Sequence, residues 1–245
     1  MSISPPFGWP RQTSSGSGSK LALLVAAGMV LIAGAGIGAG LLIWHEPTGR
    51  TDTGDNPPAG VTTAMPKVTG GLDTSSRKAR IGPAAMTLPT EPYELYPDPM
   101  QVDGFLSVIF LANAEVHEDY RGHRDWLATV ALAQVSPELT DGSDLESIGT
   151  RVMRELGTQF FGGQETTIKH MRSADRSTDG HPGLELRAEV HYRASGLAST
   201  YDSVTVRLLQ LDDGSVIAAI SSLPNDTQRQ AADLAASAMD SLTVS

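Results

Sequence analysis

The feature that most constrains this chain is residues 21–44, LALLVAAGMVLIAGAGIGAGLLIW, 24 consecutive positions without a charged or strongly polar side chain. At ~1.5 Å per residue this is a helix of about 36 Å, enough to cross a bilayer once. A cleaved signal peptide is the rival reading, because the small-residue run Ala33–Gly40 offers A-x-A-like triplets. The apolar stretch is longer than the usual ~7–15-residue signal core and resumes with Leu41, Leu42, Ile43 and Trp44, which favours an uncleaved anchor. Arg11 and Lys20 precede the span with no acid among the first twenty residues, whereas Glu46, Asp52 and Asp55 follow it. The positive-inside bias then puts the N-terminus in the cytoplasm and everything after Trp44 outside the plasma membrane. Within the span, Gly34 with Gly38 and Gly36 with Gly40 form a possible helix-dimer face. Since 11 of the 24 residues are Gly or Ala, such spacings also arise by chance.

The flanks divide the rest. Residues 1–20, with three prolines and a Ser/Gly run, read as a disordered cytoplasmic tail. Residues 45–95 are rich in Pro, Gly and Thr without sustained periodicity and read as a flexible linker. Arg77, Lys78 and Arg80 form a basic cluster in it, read as solubilising or as touching anionic headgroups. Residues 96–245 hold 22 acids against 11 basic residues, a balance that repels phosphate backbones and makes nucleic acid an unsuitable partner. The chain has no cysteine, which excludes disulfides, thiol catalysis and a lipid-modified Cys anchor.

Residues 96–245 are enough for one core. Phe105–Leu111 and Trp126–Val135 read as strands, with the polar segment between them a hairpin extension or loop. Ser143 and Glu146 have capping-box spacing, and Leu145, Ile148, Val152, Leu156 and Phe160 then recur at helical steps until Gly162 and Gly163. A short strand follows near Thr166–Met171, then a turn through Ser177–Gly183. Leu184, Leu186, Ala188, Val190 and Tyr192 alternate with Glu185, Arg187, Glu189, His191 and Arg193, which predicts one core face and one charged, solvated face. Val204, Val206 and Leu208 repeat the pattern, Asp212-Asp213-Gly214 makes a tight turn, and Val216–Ser221 returns. A last helix carries Ala231, Leu234, Ala235, Ala238 and Leu242 on one stripe. The expectation is an α+β domain, an antiparallel sheet with packed helices.

This succession, with HPGLELRAEVHY entering one strand, YDSVTVRLLQLDDGS another, SSLPND ending a third and an Ala-rich helix before SLTV, resembles the PsbP-like fold. The resemblance spans residues ~100–245. That family includes the plant photosystem extrinsic protein, the Ran-binding Mog proteins and the mycobacterial LpqN/LpqT-type lipoproteins. Arg outnumbers Lys 14 to 4, which suits an actinobacterial genome, and the missing lipobox Cys is a departure from the lipoprotein members. The resemblance implies a non-catalytic binding or assembly module of the cell envelope, with a protein or a lipid or polymer as partner. It carries over no catalytic motif.

Chemistry is sparse. The six histidines form no H-E-x-x-H pattern. The densest cluster, His117-Glu118-Asp119 with His123 and Asp125, reads as a solvated hairpin tip more readily than as a metal site. Asp212-Asp213 and Asp141 with Asp144 fit turn formation and helix N-terminal charge. No metal or cofactor is expected. An envelope hydrolase or metal-dependent enzyme with a loop-built site, using His123 or Asp125, is the alternative.

Overall fold

The computed structural model describes residues 70–120, 124–161 and 164–245. Strands β6 (Leu106–Tyr120) and β7 (Arg124–Val135) form a long antiparallel hairpin. A short helix α1 (Pro137–Thr140) leads into α2 (Leu145–Gln159). Strands β8 (Thr166–Asp175), β9 (Gly183–Tyr192), β10 (Tyr201–Gln210) and β11 (Val216–Pro224) follow, then helix α3 (Arg229–Asp240). The predicted order of two strands, helix, four strands and helix therefore holds. Every strand pairing is antiparallel, and β11 closes against β7.

The period-2 alternation works as the sequence suggests. Val206 lies opposite Leu186 on β9 and Ile220 on β11, and all three sides of this triplet are buried. Ile148, Val152 and Leu156 from α2 pack on that face, with Leu145 and Phe160 half-buried beside them. The helix sits close because of Gly149: a Cβ there would lie 2.5 Å from Leu186 Cδ1.

Four expectations need correction. First, the linker reading fails for residues 70–95. This stretch forms β1 (Gly70–Asp73), β2 (Lys78–Ile81), β3 (Ala84–Thr87) and β4 (Glu94–Leu95), and β5 (Met100–Val102) comes next. Strands β1, β2 and β3 make a second sheet with the C-terminal β12 (Thr243–Val244), while β4 and β5 pair with β6. Ala79, Ile81, Met86, Leu88 and Tyr93 are buried. Strands of two to four residues are too short to display a period, so Pro, Gly and Thr punctuate a tight sheet where they suggested coil. The basic cluster is dispersed with it: Arg77 donates from Nη2 to the Tyr93 carbonyl at 2.8 Å, Lys78 is half-buried and Arg80 is exposed.

Second, of the two readings of the segment between the first two predicted strands, the hairpin extension holds and the loop does not: the segment is strand almost throughout, with register shifts between Glu115 and His117 and between His117 and Tyr120. Third, the N-cap of α2 is Asp144, whose Oδ1 accepts from Ser147 N at 2.8 Å, while Ser143 Oγ bonds the Asp141 carbonyl. A carboxylate one residue further on displaces the expected Ser143–Glu146 box.

Fourth, the second face of the large sheet is largely covered. Phe110, Ala112, Ala114, Ala128, Val130, Leu132, Ile217 and Ala219 form a second core with β2, β3, the stripe Ala231, Ala235 and Ala238 of α3, and Leu242 just past that helix. The molecule thus has three layers: α2, the large sheet, and a mixed layer of α3 with the small sheet. Among the described residues of the large sheet, β8 is the most exposed strand, with only Thr166 and Ile168 half-buried. Among the described residues no helix is long and apolar enough to cross a membrane; residues 21–44 and Gly34, Gly36, Gly38 and Gly40 lie outside the described residues.

Candidate functional site

On the face shared with α2, the sheet changes character past the helix. Core-facing positions of β10 run Leu208, Val206, Val204 and then Asp202, and those of β11 run Val216, Ala218, Ile220 and then Ser222. Asp202 is 2% exposed. Its Oδ1 accepts from Tyr192 OH at 2.8 Å and its Oδ2 from Ser222 Oγ at 2.7 Å. Trp126 Nε1 donates to Tyr192 OH at 3.1 Å, and the rings of Trp126, Tyr192 and Phe161 cluster with centroids 4.7–6.3 Å apart. Burial pushes the Asp202 carboxyl up to about 6 against the donors that favour its ionised form, and the Asp226 charge adds to the rise. Burial also raises the Tyr192 phenol, with the Asp202 charge adding to it.

Next to this network, three segments meet at His117. The imidazole Nε2 lies 2.9 Å from Asp226 Oδ2 and 3.0 Å from Ser199 Oγ, and Ser199 Oγ donates to Asp226 Oδ1. Asn225 Oδ1 accepts from Thr200 N at 2.8 Å, tying the same two loops together. The three residue types are those of a hydrolase triad, but the wiring differs. A triad needs the carboxylate on one imidazole nitrogen and the hydroxyl on the other, with the second nitrogen free to accept a proton. Here both partners address Nε2. Because the Ser199 hydroxyl directs its hydrogen to Asp226, its oxygen can only accept from Nε2. Ser199 is 2% exposed. The arrangement is a clasp between β6, the β9–β10 loop and the β11–α3 loop.

A second charged cluster lies on the opposite face. Arg207 Nε donates to Glu185 Oε2 at 2.6 Å, its Nη1 to the Met239 carbonyl at 2.5 Å and its Nη2 to Asp240 Oδ1 at 2.8 Å. Arg187 and Arg176 also engage Glu185. Burial would raise the Glu185 carboxyl, yet the bond and charge of Arg207, with Arg187 behind it, hold it below its ordinary value. These groups, predicted to be solvated, lock the end of α3 onto the sheet.

The predicted His cluster is divided: His117 turns into the clasp, Glu118 is exposed, and the side chains of Asp119, His123 and Asp125 lie outside the described residues. Among the described residues no group of three His, Asp or Glu stands arranged to hold a metal. Asp213 caps its turn, with Oδ1 accepting from Ser215 N at 2.9 Å, and Asp144 caps α2, as their turn and helix readings expect. Ser199, Asp202 and Asp226 were not singled out from the sequence. A hollow of about 500 Å³ between α2 and β8 is lined by Asp144, Glu146, Ser173 and Asp175 together with Leu145, Ala174, Gly183 and Leu184.

No family model matches the chain, and no curated protein matches it. The solution structure of cyanobacterial PsbP (CyanoP) from Synechocystis sp. PCC 6803 is similar to it over 78% of this chain and 98% of that one, at 17% identity and a TM-score of 0.39. The antiparallel sheet with packed helices rests on the strand registers themselves.

Proposed function

We propose that this protein is a single-pass membrane-anchored accessory module of a cell envelope, whose folded domain lies outside and binds a protein partner without catalysis. The finer kinship, with actinobacterial LpqN/LpqT-type domains of PsbP-like fold, rests on the sequence resemblance, with the helix of residues 21–44 in place of a lipid anchor. One observation carries the non-catalytic reading: Ser199 and Asp226 bond the same imidazole nitrogen of His117, and the serine is buried. A protein partner is favoured over an acyl lipid because the hollow beside α2 sets Asp144, Glu146 and Asp175 among Leu145, Ala174 and Leu184, and a hydrocarbon chain there would have to desolvate those carboxylates. Full-length protein with a C-terminal tag is expected to stay in the membrane pellet after alkaline carbonate extraction, and protease added to intact spheroplasts is expected to remove the tag. Release into the supernatant, or a protected tag, counts against the anchor and its orientation.

A second reading, an envelope hydrolase, draws on the meeting of Ser199, His117 and Asp226. A fluorophosphonate probe separates the two. The accessory-module reading expects no covalent label on the full-length protein; labelling that disappears in Ser199→Ala establishes the hydrolase instead.

A further inference from the structure

Strand β8 ends the large sheet, with no strand on its outer edge among the described residues and all residues from Lys169 to Asp175 exposed. Free edges invite pairing with another chain, and this one carries devices that select who pairs. His170 has φ 54°, and the register passes from Lys169 opposite Glu189 to Arg172 opposite Arg187, so one extra residue bulges out of β8. Met171, the most exposed large apolar side chain among the described residues at 45%, sits in that bulge.

The charges are the informative part. Arg172 and Arg187 lie directly across from one another on the same face, a juxtaposition that costs stability unless anions intervene. Arg187 has its anion: Nε and Nη2 both reach Glu185 Oε1, at 2.8 and 2.7 Å. Glu189 faces His191 at 2.8 Å and His170 at 3.8 Å. Lys169 and Arg172 have no ion pair among the described residues. A domain in which acids outnumber basic residues two to one thus presents, along an edge that no described strand covers, two cations without an ion pair among the described residues. A second copy laid antiparallel around the bulge would set Lys169 against Arg172 and repel itself. A strand bearing carboxylates would meet both cations and find the edge N–H and C=O groups of β8 beside them.

We infer that the β8 edge is a docking site for an extended, acidic polypeptide segment of a partner protein, recognised by Lys169 and Arg172 together with the edge backbone. The inference rests on the binding-module reading and names its partner's chemistry. The test uses full-length protein in detergent micelles and a fluorescein-labelled twelve-residue peptide of alternating Glu and Val. Saturable binding by fluorescence anisotropy is expected, weakened about tenfold in Lys169→Glu/Arg172→Glu and unchanged in the control Arg229→Glu, whose side chain is 94% exposed on α3. N-methylation of alternate peptide bonds should abolish binding, since strand addition reads the backbone. Equal loss in the control, equal binding of a Lys/Val peptide, or no binding overturns the inference. So does binding that the double variant weakens for anionic vesicles and not for the peptide. If the peptide fails while the chain stays membrane-bound and Ser199 unlabelled, this inference falls alone; a labelled Ser199 or a chain released from the membrane removes the broader reading.

Discussion

Replacing Arg207 by Met is expected to lower unfolding stability by about 3 kcal/mol, because it leaves the Glu185 carboxylate buried without its main counter-charge. Buried ion pairs lose most when one partner is removed: the surviving ion stays desolvated and loses the bonds that offset that penalty. The full range for such a break is about 3–5 kcal/mol, and the low end applies here because Arg187 and Arg176 remain on Glu185 from more exposed positions. The substitution also frees the Met239 carbonyl and Asp240, so it loosens the end of α3. Replacing both members, as Glu185→Leu/Arg207→Met, should recover most of the loss, since an apolar pair of similar volume needs no desolvation. Denaturant midpoints followed by tryptophan emission give both numbers. A loss below 1 kcal/mol for the single variant, or a double variant no better than the single, refutes the stranded Glu185 carboxylate as the source of the loss.

That cluster also marks a limit on what the sequence reveals. Alternation in β9 and β10 assigns Leu186, Val206 and Leu208 to one face and Glu185 and Arg207 to the other, and both assignments hold. Parity says which side a residue takes; it does not say whether a second layer of protein covers that side. The cover comes from α3 and from strands β1 to β3, whose four-residue lengths leave no periodic trace. The helices were legible because an apolar stripe is local: Ile148, Val152, Leu156, Ala231, Ala235 and Ala238 are buried as spaced, even though the cap of α2 is Asp144 and not Ser143. The clasp was legible only in part. Asp202 stands at core parity two residues before Val204, a visible break in the apolar pattern. Ser199 and Asp226 lie in loops that carry no periodic signal, and their approach to His117 depends on the long-range order of strands.

Asp202 leads to the second large effect, which is a dependence on pH. Its carboxyl is pushed up to about 6 in the folded protein from an ordinary value of 3.8, chiefly by burial. The folded state therefore binds this proton more tightly than the unfolded chain does, and the sign follows. The contribution of Asp202 is most favourable below about pH 4 and is lost as pH rises through about 6. At about 1.4 kcal/mol per unit, the difference approaches 3 kcal/mol once both states are ionised, with about 2 kcal/mol of it falling between pH 4 and 7.5. Asp202→Asn keeps the shape and the acceptor for Tyr192 OH, and its amide donates to Ser222 Oγ in place of receiving from it. The variant is thus expected to match the wild type near pH 4 and to exceed it increasingly toward pH 7.5. The carboxylates of Asp144, Asp213, Asp240 and Glu185, all held below their ordinary values, act in the opposite direction. They remove stability from both proteins alike as pH falls through their own range, so the difference between variant and wild type isolates Asp202. Urea unfolding at pH 4, 5.5 and 7.5 measures that difference directly. A gap that stays constant with pH, or an Asp202→Asn variant weaker at pH 7.5 than at pH 4 relative to wild type, shows that the buried carboxylate is held ionised by its donors and contributes no strain to the fold.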